Sequence, residues 1–141
     1  MLRAAVEDGR IHGPSAGEKI AQALRLMASF PVRDPETSRA VLTRALASMK
    51  QGELPEHRVE VSELFESWVA EGQATGELRG DVPPHELACV ILGLQFHATL
   101  LWAYGFVADS LADLLDRNVQ LALQGLHGRN NESVPPGPEP R

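Results

Sequence analysis

The sequence predicts an all-α protein, an antiparallel helical bundle of about five helices, on three observations. Helix-start signals recur along the chain, apolar residues between them fall three and four apart, and no stretch alternates apolar with polar as a half-buried strand does. With 141 residues the chain is long enough for one domain with a core and short for two. Hydrophobic residues make up 43% and charged residues 23%, so a packed domain rather than a disordered chain is expected over most of its length.

Met1 to Gly9 reads as the end of a helix. Ser15-Ala-Gly-Glu18 has the spacing of a capping box, in which the serine hydroxyl takes one orphan N–H and the glutamate reaches back to another. Ile20, Ala23, Leu24, Met27 and Ala28 follow at helical spacing, and Phe30-Pro31 is expected to end that helix because the residue before proline avoids the α region. Asp34-Pro35-Glu36 restarts it: an acceptor at the cap, proline in the first turn, and acid near the positive end of the helix dipole. Val41, Leu42, Ala45, Leu46 and Met49 form its apolar face, and Gly52 closes it.

A third long helix begins near Pro55, with Val61, Leu64, Phe65, Trp68 and Val69 along one side. Its other side, including Glu56, Arg58, Glu60, Glu63, Glu66 and Glu71, is expected to face solvent. The helix from about Pro84 to Tyr104 is apolar nearly all round, so it must be covered on most sides. It is long enough to cross a bilayer, yet Gln95, His97 and Thr99 interrupt it and no charged flanks frame it; a buried central helix is the expectation. In so small a domain its own neighbours do not suffice as cover, which calls for a partner subunit. The last helix starts near Asp109-Ser110 and is leucine-rich through Leu126. Residues 128–141, rich in proline and polar groups, are expected to form a disordered tail.

The net charge of -6 gives the wrong field for gripping phosphates, so DNA binding by this stretch alone is not expected. The single cysteine, Cys89, lies in an apolar run and is expected to be a buried small hydrophobe. No secretory signal opens the chain, which points to the cytoplasm. The five histidines lack metal-ligand spacing, and no nucleophile elbow, phosphate-binding glycine loop or paired carboxylates occur. No catalytic residue, metal or cofactor is therefore expected, and the chain is not expected to be an enzyme.

The most specific segment is the junction Trp68-Val-Ala-Glu-Gly-Gln-Ala-Thr-Gly-Glu-Leu-Arg79, followed by Gly-Asp-Val-Pro-Pro-His-Glu-Leu-Ala88. Gly72 and Gly76 mark a helix stop, and Asp81 with Pro83 and Pro84 a restart. Leu78 is placed to tuck under the turn, and Arg79 to reach carbonyls or Asp81. This junction, the apolar helix after it and the closing Leu123-Gln-Gly-Leu126 resemble the sensor domains of TetR-type (tetracycline-repressor-like) transcriptional regulators. The resemblance implies residues 1–127 as a ligand-sensing and dimerisation domain whose last two helices form a four-helix bundle with a second copy. It also implies a helix-turn-helix head that these residues do not include, so DNA would be reached only through such a domain. A stand-alone interaction module without DNA binding is the alternative.

A sensor pocket needs apolar and aromatic walls with a few placed polar groups. The candidates are Met27 and Phe30; Leu64, Phe65 and Trp68; and Leu92, Gln95, Phe96, Thr99 and Trp102. Gln95, His97 and Thr99 stand out because polar groups in so apolar a helix must find partners. The low aromatic content, 5%, favours a small hydrophobic or weakly polar ligand. A homodimer, without a membrane, is the expected assembly.

Overall fold

A computed structural model describes residues 1–52 and 56–126. The expected tail at 128–141 lies outside the described residues. Within them the protein is all-helical, with α1 (Leu2–Glu7), α2 (Ala16–Arg33), α3 (Pro35–Lys50), α4 (Glu56–Ala74), α5 (Pro84–Ala103) and α6 (Leu111–Leu126).

The core forms where α2, α4, α5 and α6 converge. Phe65, Trp68 and Val69 of α4 recur at the spacing of one helical face and are buried against Ile20 and Leu24 of α2 and Leu87, Ile91 and Leu92 of α5. The Phe65 and Trp68 rings meet at 5.3 Å with planes tilted by 54°. A smaller cluster of Ala28, Ala98, Leu111 and Leu115 joins the far ends of α2 and α5 to the start of α6. Helix α3 stands apart from this core, since Leu42 is its single buried residue.

The junction after α4 does more than reverse the chain. Gly76 closes α4 in the left-handed region at φ 77°, which glycine reaches without steric cost. Leu78 is buried beneath the turn, its N–H bonded to Gly72 O at 3.0 Å. Gly72 lies inside α4 and does not stop it; it is small because Leu78 and Ala16 press on it. A Cβ there would stand 2.8 Å from Leu78 Cγ and 2.9 Å from the Ala16 Cβ. Gln73 Nε2 donates to the carbonyls of Arg79 and Val82, both at 2.8 Å, and Arg79 pairs with Asp81.

Glu77 then reaches across the fold. Its two carboxylate oxygens accept the N–H groups of Ala16 (2.9 Å) and Gly17 (2.8 Å), two of the orphan donors at the start of α2. Ser15 Oγ accepts a third, from Glu18 at 3.1 Å. The capping box expected at Ser15–Glu18 thus forms on the serine side only. No bond among the described residues joins Glu18 to the Ser15 N–H, and Glu77 supplies the acid that the dipole favours.

Two further expectations change. Pro31 does not end α2, which continues to Arg33. A proline this near the C-terminus forfeits one intrahelical bond, to Met27 O, and only two residues remain beyond it. Cys89 is exposed rather than buried, because it lies on the side of α5 turned away from α2 and α4. Helix α5 as a whole is covered on one side only: 39% of its most apolar window is buried, and by length and composition it could cross a membrane.

The close contact at Gly72 makes a sharp test. Gly72→Ala forces Leu78 or the α2 start to move, and it should destabilise the fold by about 1–3 kcal/mol in urea unfolding. Glu77→Ala should likewise lower stability by about 1–2 kcal/mol, because two N–H groups at a helix start lose a charged acceptor.

Candidate functional site

Where α3 bridges the outer ends of α2 and α5, the chain forms a cavity of about 510 Å³ that opens to solvent on one side. Met27, Phe30 and Pro31 of α2 form one wall, and Val41, Leu42 and Ala45 of α3 form the opposite one. Leu92, Gln95, Phe96 and Thr99 of α5 make the floor, with Arg58 and Val61 of α4 at the side. Phe30 and Val41 remain 43% and 55% exposed, marking where the space opens to solvent. Because it opens to solvent at this rim, the space is filled by water when no guest is present.

Helix α3 is held over the cavity by its N-terminal cap and two polar bonds from its middle rather than by a broad packed face. Asp34 closes α2 and caps α3, its carboxylate accepting the Thr37 N–H at 3.0 Å and the Thr37 hydroxyl at 2.5 Å. Those bonds hold the Asp34 carboxyl below the usual aspartate range, the Thr37 hydroxyl contributing most. Farther along, Arg39 Nε donates to Ala103 O, placing a cation at the negative end of α5, and Thr43 Oγ1 meets the Tyr104 hydroxyl at 2.8 Å.

The polar groups inside are few. Gln95 and Thr99 sit one helical turn apart and satisfy each other: Gln95 Nε2 donates to Thr99 Oγ1 at 3.1 Å, and the Thr99 hydroxyl donates to Gln95 O at 2.9 Å. His97, the third polar residue of α5 singled out from sequence, faces solvent. Arg58 is half-buried with Cζ 5.0 Å from the centroid of Phe96, a cation over an aromatic face. It does not belong to the solvated face on which the periodicity of α4 put it. Arg33 and Asp34 stand at the rim.

Of the ten residues expected to line a pocket, Met27, Phe30, Leu92, Gln95, Phe96 and Thr99 line this cavity. The other four lie elsewhere. Phe65 and Trp68 are core residues, Leu64 packs against that core, and Trp102 packs on the smaller cluster beside α6. The whole α3 wall was missed, although the apolar face of Val41, Leu42 and Ala45 was the available signal. Among the described residues no group of three or more His, Cys, Asp or Glu side chains could hold a metal ion.

Compared with protein-family models, curated proteins and solved structures, the chain matches none. What it does must therefore be argued from its own geometry.

Two outcomes follow from the way α3 is attached. Its amides should exchange with solvent through local openings well below the free energy that governs α2 and α4, since one buried leucine and a few exposed bonds hold it. The Asp34 cap should also respond to acid. Its folded pKa is depressed, so its stabilisation is present above the unfolded value near 3.8 and is lost as pH falls through the folded one. The stability gap between the native chain and Asp34→Ala, measured by thermal unfolding, should accordingly be widest at neutral pH and shrink on acidification.

Proposed function

We propose that this chain is the small-molecule-sensing and dimerisation domain of a TetR-type transcriptional regulator, acting in the cytoplasm on a helix-turn-helix domain outside the residues described here. The observation that carries the reading is the cavity beneath α3: about 510 Å³, within the range of small-molecule sites, with apolar walls and a few convergent polar groups. A guest there touches α2, α3, α4 and α5 together, so filling it changes how the four pack. A ligand that binds one packing better than another shifts the population between them, and no other device is required for sensing.

The outer face of α5 supports the dimer. Residues 86, 89, 90, 93, 94 and 97 are exposed at helical spacing, with Val90 at 52% and Leu94 at 36%. Leu94 shares a shallow groove with Asn118 and Ala122 of α6, and Leu121 of α6 is 68% exposed. Exposed apolar side chains on these adjacent helices, Val90 and Leu94 of α5 and Leu121 of α6, suit the seam of a symmetric four-helix bundle with a second copy. The same face is what a stand-alone interaction module would use, and the two readings part over the cavity, which only a sensor needs. Helix α5 buries Leu87, Ala88, Ile91, Leu92, Ala98 and Thr99 against its own domain, which favours a bundle over a membrane span.

A thermal-shift screen of small apolar compounds tests the sensing claim, because a ligand of the native state raises the melting temperature. Hits should lose their effect in Thr99→Trp, whose side chain fills the cavity floor, while the variant keeps its helical circular dichroism. Hits that still stabilise Thr99→Trp would place the ligand elsewhere. For assembly, sedimentation should give a dimer at micromolar concentration, and the double variant Leu94→Arg with Leu121→Arg a folded monomer. A monomeric native chain would contradict the dimer.

A further inference from the structure

We infer that the cavity selects an amphipathic monoanion: a carboxylate carried on a medium-length apolar body, with the carboxylate received by Arg58. The inference rests on the sensing role proposed above and narrows its ligand class. Five arginines of this acidic chain, Arg3, Arg10, Arg25, Arg79 and Arg117, pair with carboxylates on the surface. Arg58 is half-buried at the wall of an apolar cavity and has no carboxylate partner among the described residues. Its one side-chain contact of note is the Phe96 ring, 5.0 Å away.

A ring face attracts the charge but takes none of the guanidinium's N–H donors, which lie in the plane of the group. They remain available to a planar, two-oxygen acceptor, and a carboxylate fits that fork in bidentate fashion. The acid at the rim does not compete. The Asp34 carboxylate is committed to the Thr37 N–H and hydroxyl at the start of α3, and Arg33 beside it adds a second positive charge. With Arg33 offset by Asp34, Arg58 leaves a single net positive charge in the lining, which suits one negative charge, and Met27, Leu42, Val61 and Leu92 suit an alkyl or aryl body rather than a polar one.

Calorimetric titration with decanoate and with decanol, which share a chain and differ in charge, tests the inference. Decanoate should bind the native chain about tenfold or more tighter than decanol. Arg58→Gln should abolish that preference by weakening decanoate far more than decanol, and Arg58→Lys should restore part of it. Retained decanol binding, with unchanged helical circular dichroism, reports that the variant is folded and its cavity present. Equal or tighter binding of decanol by the native chain, or a decanoate preference that survives Arg58→Gln, overturns the anion inference and leaves the sensing role standing. Binding of neither compound overturns the inference, whereas the sensing role stands or falls with the thermal-shift screen and its loss in Thr99→Trp.

Discussion

The structure depends first on the clasp between the end of α4 and the start of α2. Glu77 neutralises two unpaired N–H groups of α2, and Leu78 wedges beneath Gly72 against Ala16. Together they fix where α2 begins and how it lies on α4. Lys19 reinforces the placement from one turn later, its Nζ 2.7 Å from Glu71 Oε1. Helix α2 is about 27 Å long at 1.5 Å per residue, so an anchor at its start sets the position of Met27 and Phe30 at its far end. The cavity is built at that far end, on the side of α2 away from the small cluster around Ala28. A rigid root and a loosely roofed tip is an arrangement that lets a guest move helices without unfolding the domain.

Helix α3 is the counterpart of that clasp. Its attachments are a shared cap at Asp34, one buried leucine, and polar bonds to the last residues of α5. Each is worth little alone in water, and none closes the space beneath. The roof therefore stays open at a low cost to the rest of the fold. Because Arg39 and Thr43 hold the C-terminal end of α5, movement of the roof is tied to a helix whose opposite side carries the exposed apolar face. In the proposed regulator, that tie is the mechanical link between an occupied cavity and the dimer seam.

Much of this architecture was legible in the residues, and the failures have physical causes. Capping residues and spacing placed the helices because those signals act within one or two turns. Ser15, Asp34-Pro35 and Gly76 do locally what their chemistry dictates. Glu77 capping α2 from sixty residues away leaves no local trace, so its role emerges only from tertiary packing. Pro31 did not stop α2, since it forfeits a single intrahelical bond and only two residues of the helix follow it. The cavity was half legible. Its α5 floor announced itself through polar residues in an apolar helix, whereas Phe65 and Trp68, equally aromatic, turned out to fill the core. Periodicity identifies an apolar face but not whether that face meets a neighbour or a void. For the same reason Arg58 looked like one more charge on a solvated side.

The central claim is that the space beneath α3 is the sensor. Methyl-resolved NMR during titration with decanoate tests it most directly. The account predicts that the methyl signals of Met27, Leu42, Val61 and Leu92 shift together and saturably, while those of Ile20 and Val69 in the core by the clasp stay put. Shifts confined to Val90, Leu94 and Leu121 on the outer face, with the cavity methyls unmoved, would contradict it.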